Sequence, residues 1–123
     1  MPKRSPKNQV KAIGFKRSDC PLACALDIVG DEWSLLIVRD LLFGCSRVEE
    51  FLEAGEGIPR QVLASRLRHL EKAGIIRKIL SPSPPLHHTY HLTEMGLSLS
   101  PAIVALVKWG RANILGTRPS KFG

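Results

Sequence analysis

The sequence predicts a mainly α domain of about five helices with one small β-hairpin, and three observations predict it. Residues that start and stop helices recur at short, regular intervals between Cys20 and Gly74. Leu63, Leu67 and Leu70 repeat at i, i+4 and i+7, a single apolar stripe on a helix. After Gly74 the pattern changes to two β-prone runs separated by the breaker Ser81-Pro82-Ser83-Pro84-Pro85.

Taken in order, residues 1–19 (MPKRSPKNQVKAIGFKRSD) hold no sustained periodicity and read as a flexible basic arm. Pro21 opens the first helix at a position where its missing N–H costs nothing, with Cys20 as N-cap, and Gly30 closes it. Asp31 caps a second helix that runs through Phe43, reads as core and stops at Gly44. Ser46-Arg47-Val48-Glu49 fits a capping box, so a short third helix runs from about Arg47 to Ala54. Gly55-Glu56-Gly57 is a turn, and the fourth helix extends from Pro59 to Ala73, with Gly74 as terminator. Ile75–Leu80 and His88–Leu92 read as the strands of a hairpin with a Pro-rich tip. Thr93 caps a last long helix from Glu94 to about Leu115, which Pro101 should kink, and residues 116–123 form a tail. A short helix, a tight turn, a longer basic helix and then a hairpin is the arrangement of a winged helix-turn-helix, here a domain over residues 20–115.

The 123 residues, 44% hydrophobic and 24% charged, suit one folded domain. No apolar run is long enough to cross a membrane and no signal-peptide core opens the chain, so the expected location is cytoplasmic, without a membrane partner. The three cysteines should be reduced thiols and not a disulfide framework. The net charge of +7 is unevenly spread. Residues 1–18 carry six bases and no acid, residues 19–56 two bases and nine acids, and residues 57–123 ten bases and two acids. Such separation points to a polyanion meeting the arm and the second half, with nucleic acid ahead of a membrane surface or a ribosome-like assembly.

Several spaced motifs carry a family resemblance. They are Cys20-Pro21, Asp27-Ile28-Val29-Gly30, Trp33-Ser34-Leu35-Leu36-Ile37, Arg39-Asp40-Leu41-Leu42, Gly57-Ile58, and Val62 to Glu71. Gly74-Ile75-Ile76-Arg77, Tyr90-His91-Leu92-Thr93-Glu94-Met95-Gly96 and Trp109-Gly110 complete the set. With these the chain resembles the HxlR-type winged-helix transcriptional regulators of bacteria and archaea over about residues 20–110. It departs from their pattern at Val48, where Phe is usual, at Pro59, where Ser is common, and at Leu86-His87-His88, where the wing usually carries an Arg. The resemblance implies a homodimer built through N- and C-terminal helices and double-stranded DNA as the partner. A related MarR-like or ArsR-like assignment would leave that DNA role intact.

With the leucine stripe inward, a 100° step puts Gln61, Ser65, Arg68 and Lys72 on the opposite face of the fourth helix, with Arg60 in its first turn. Arg60, Gln61 and Ser65 are the expected base contacts, since Arg matches guanine and Gln matches adenine. Arg68 and Lys72 should hold phosphates, while Arg66 either does so or makes an internal salt bridge. Arg77, Lys78, His87 and His88 in the wing are expected to touch the DNA backbone. The last helix is apolar all round, so part of it should meet a second subunit. The expected interface is Pro21, Leu22, Ile103, Leu106, Val107 and Trp109. A symmetric dimer then implies a near-palindromic operator with half-sites about one helical turn apart.

Cys20 stands where helix N–H groups and the dipole favour a thiolate, with Lys16 and Arg17 before it and Asp19 opposing them. Several HxlR-type regulators have a cysteine at this place, and in some it senses oxidants, quinones or aldehydes, so the resemblance makes Cys20 a candidate sensor and a small molecule or oxidant a candidate effector. The other reading is a plain capping residue. Cys24 fits buried core, and Cys45 fits an inert turn position. Cys20 and Cys24 with His87, His88 and His91 invite a zinc reading, but the spacing is not that of a zinc knuckle and adjacent strand histidines point to opposite faces. No metal and no cofactor are expected. A thiol enzyme would need an activating base or oxyanion donors beside Cys20, and no such constellation is identifiable, so an enzyme is not expected. A winged helix serving protein interaction without specific DNA binding is the remaining alternative.

Overall fold

The structure is a computed structural model that describes residues 17–117. Residues 1–16 of the expected basic arm and residues 118–123 of the expected tail lie outside the described residues. In chain order come α1 (Pro21–Val29), α2 (Ser34–Leu42), α3 (Val48–Leu52), α4 (Arg60–Lys72), β1 (Ile76–Leu80), β2 (His88–Leu92), α5 (Glu94–Leu97) and α6 (Ser100–Asn113). This is the predicted winged helix-turn-helix: α3, a turn and α4, followed by an antiparallel hairpin with Ile76 opposite Leu92 and Leu80 opposite His88. Among the described residues no helix is long and apolar enough to cross a membrane.

Local chemistry sets the helix starts, with three shifts from the sequence reading. Asp31 acts as a cap, but across a short turn: its Oδ2 accepts from the backbone N–H groups of Trp33 and Ser34, both at 3.0 Å, so α2 begins at Ser34. The capping carboxylate of α3 is Glu50 and not Glu49. Its Oε1 accepts from the N–H groups of Ser46 and Arg47 at 2.9 Å each, because α3 starts one residue later than the capping-box reading placed it. The last helix is two helices and not one kinked rod. Thr93 caps α5, its hydroxyl oxygen accepting from the Gly96 N–H at 3.1 Å, and α6 restarts at Ser100 with Pro101 in its first turn, where proline fits. α6 then ends at Asn113, two residues short of Leu115.

The core joins Val29, Ile37, Val38, Phe51, the α4 stripe Leu63, Leu67 and Leu70, the strand residues Ile75, Ile76 and Tyr90, and Ile103 from α6. The rings of Phe51 and Tyr90 meet edge to face, with centroids 6.4 Å apart, and tie α3 to the wing. Gly96 lets α5 lie on the sheet: a Cβ there would stand 2.2 Å from the Ile75 carbonyl oxygen. Beneath the turn before α4, the Arg39 guanidinium spans Glu56 and the buried Asp40, both at 2.8 Å. That contact holds α2 to the segment leading into α4.

Candidate nucleic-acid interface

The 13 residues of α4 form a rod whose inward stripe is sealed by Leu63, Leu67 and Leu70. The opposite face therefore cannot rotate away. It presents Arg60, Gln61, Arg68 and Lys72 to solvent, while Ser65 and Arg66 are half-buried. Pro59 precedes the helix in extended conformation, so Arg60 occupies the first turn, where free N–H groups and the positive end of the dipole face outward. Anions are favoured there, and the side chains within reach carry guanidinium and amide donors.

The half-buried Arg66 lies 3.6 Å from the Asp31 carboxylate. Burial works against the charged form of Asp31. The Ser34 hydroxyl, the N–H groups of Trp33 and Ser34, and the Arg66 cation together outweigh it and hold that carboxyl below the ordinary range. Arg66 thus ties α4 to the start of α2. His69, which the helix pattern left unassigned, makes a second tie: its Nε2 meets the Ile28 carbonyl at 2.8 Å, joining α4 to α1.

In the wing the strand register sorts the basic residues. Lys78 stands opposite Tyr90, and His88 opposite Leu80, so Lys78 and His88 share the sheet face that the buried Tyr90 belongs to. Arg77 stands opposite His91 on the other face. His87 is engaged within the chain. Its Nδ1 meets the Pro85 carbonyl at 2.9 Å, and the Arg47 Nη2 donates to its Nε2 at 2.7 Å. Arg47 at the head of α3 therefore reaches the wing across 40 residues of sequence, a contact that no local pattern reveals. α4, the head of α3 and one face of the wing carry the cationic side chains Arg60, Arg68, Lys72, Arg47 and Lys78.

The cysteines and the apolar helix faces lie in other elements. Cys20 is an exposed N-cap whose thiol makes no capping bond, and all three cysteines are free. The half-buried Cys24 donates to the Ser18 carbonyl at 3.2 Å, although the sequence reading placed it in the core. Burial, then the nearby Asp40 and Glu50 carboxylates, push the Cys45 thiol above its ordinary range. Among the described residues no group of His, Cys, Asp and Glu is gathered as a metal site. Of the expected interface residues, Ile103 is only 5% exposed and belongs to the chain's own core, and Val107 packs against that core. Pro21 is exposed, and Leu22 at 67%, Leu106 at 55% and Trp109 at 61% are open to a partner.

A sequence model of a family described as HxlR-like helix-turn-helix matches residues 28–117. The uncharacterized HTH-type transcriptional regulator Rv3095 of Mycobacterium tuberculosis is 45% identical over 86 residues, covering 70% of this chain and 54% of that protein. The chain thus spans about half the length of that relative. Among solved structures, the redox regulator HypR in its oxidized form is similar with a TM-score of 0.72 at 30% identity, over 82% of this chain and 100% of that chain. The reduced form of the transcriptional regulator YodB from Bacillus subtilis is similar with a TM-score of 0.69 at 28% identity, over 82% of this chain and 100% of that chain.

Proposed function

Because this chain belongs to the HxlR-like helix-turn-helix family, whose relatives are transcriptional regulators, we propose that it is a sequence-specific regulator that binds double-stranded DNA as a homodimer. The observation that carries the reading is α4: a rod fixed by its leucine stripe, with Arg60 and Gln61 exposed in its first turn and Arg68 and Lys72 further along the outer face. In this reading α4 enters the major groove, Arg60, Gln61 and the half-buried Ser65 read base edges, and Arg68 and Lys72 hold phosphates. Lys78 and His88 bring the wing to the backbone, and Arg47, steadied by His87, adds a phosphate contact from the head of α3. Leu22, Leu106 and Trp109 form the dimer contact, which sets two α4 helices on a near-palindromic operator with half-sites about 10 bp apart. The site of action is the cytoplasm.

Titration against the DNA upstream of its own gene and against a scrambled duplex, each at two salt concentrations, tests this. A preference for the native duplex that survives higher salt supports the reading. Equal, salt-labile binding to both overturns specificity and leaves only attraction to a polyanion. Absence of binding to either moves the protein-interaction alternative forward. The Arg60→Ala, Gln61→Ala double variant should lose about 10-fold or more in affinity for the native duplex and little for the scrambled one.

The exposed Cys20 thiol and the redox regulator HypR among the similar structures support control by oxidation or electrophile modification at Cys20. Diamide should then weaken operator binding by the native protein and leave that of Cys20→Ser unchanged. Equal loss in both proteins would sink the assignment.

A further inference from the structure

A groove of about 520 Å³ opens beside the wing, lined from the sheet by Arg77 and His91 of one face and by Tyr90 and Leu92 of the other. It lies between Leu41 and Leu42 at the end of α2, the loop at Cys45, the wing base at Arg77 and His91, and Leu97 of α5. Its volume falls in the range that small organic ligands fill.

The lining is chemically two-sided. Leu41, Leu42 and the exposed Leu97 supply hydrocarbon. Arg77 and His91 are direct cross-strand partners, so their side chains rise from one sheet face. The His91 ring is steadied by Thr89, Oγ1 to Nε2 at 2.8 Å. Arg77 is exposed and faces no carboxylate within salt-bridge distance among the described residues. The acids acting on the Cys45 thiol are already engaged: Asp40 by Arg39 at 2.8 Å, and Glu50 by the Ser46 and Arg47 N–H groups. The groove thus offers a cation that has no acid partner among the described residues, beside an apolar lining.

We propose that this groove binds a small amphipathic carboxylate, an aliphatic or aromatic acid whose carboxylate pairs with the Arg77 guanidinium while its hydrocarbon covers the leucines. The backbone bond from the Tyr90 N–H to the Ser46 carbonyl, 2.8 Å long, joins β2 to the loop before α3, and both residues line the groove. An occupant acts on the joint that positions the wing relative to α3 and α4. The site stands without the proposed DNA role; only its consequence for regulation rests on that reading.

Full-length ¹⁵N-labelled protein titrated with hexanoate and benzoate, with hexanamide and benzamide as neutral controls, provides the test. The acids should saturate near ~1 mM, shift the amides of Gly44 to Ser46 and Tyr90 to Leu92, and bind at least about 10-fold more tightly than the amides. Arg77→Gln should erase the difference between acid and amide without moving the melting temperature. Equal binding of acid and amide, shifts confined to other elements, or no saturation by ~10 mM overturns the proposal. Operator affinity measured with and without hexanoate separates the two readings. Failure to bind DNA sinks the regulator and leaves the ligand titration standing.

Discussion

Asp31 shows how one carboxylate sets both a helix start and a tertiary contact. It caps the turn into α2 and sits 3.6 Å from Arg66 of α4. Its folded-state pKa lies below the unfolded value, so its contribution is present above the ordinary carboxylate range and is lost as pH falls through the folded value. Asp31→Ala should therefore lower stability by about 1 kcal/mol at pH 7, and urea melts of the two proteins should converge in acid. Cys45 has the opposite sense: burial and the neighbouring acids keep its thiol protonated. Iodoacetamide mapped by peptide mass should reach the exposed Cys20 first and modify Cys45 only as pH becomes alkaline. Arg47 and His87 illustrate a contact made by topology alone, since the strand return from β1 to β2 brings them together.

At the scale of elements, α4 and the α5–β1 junction carry different kinds of stability. Leu63, Leu67 and Leu70 are buried, and truncating Leu67 to Ala should cost about 2–5 kcal/mol by chemical denaturation, with operator binding failing as the rod loosens. Gly96 is needed for closeness, because an added methyl would collide with the Ile75 carbonyl and the Leu92 side chain. Gly96→Ala should destabilise by about 1–3 kcal/mol, whereas a helix-propensity argument alone predicts a gain. The break between α5 and α6 has a similar origin. Thr93 caps a single turn packed on β2, and Pro101, which lacks an N–H, is accommodated by a new helix start.

For the whole molecule, charge and apolar surface are divided between regions. The cations of α4 and the wing predict steep salt dependence, and Lys72→Gln should reduce the slope of log affinity against log salt by about 1, nearly equally for specific and scrambled duplexes. The exposed Leu22, Leu106 and Trp109 predict self-association. Trp109→Arg should shift the sedimentation coefficient toward that of a monomer while leaving the circular dichroism of the fold intact. An unchanged dimer would remove α6 from the interface.

The helix-turn-helix, the hairpin and the outward face of α4 were legible in the chain because they are local. Periodicity, caps and breakers act over a few residues, and a leucine stripe determines its own opposite face. What the tertiary structure decided is non-local. It divided α6 between Ile103, taken by the core, and Leu106 and Trp109, left outside, where the apolar run of the sequence made them equivalent. It made His91 the cross-strand neighbour of Arg77 and Tyr90 that of Lys78 through strand register, and gave Arg66 an acid partner 35 residues away. It brought Arg47 to His87 and Arg77 to the groove beside Leu97. The physical reason is that side-chain partners across long loops depend on how elements pack. One sequence pattern specifies which face of an element is apolar but not which neighbour covers it.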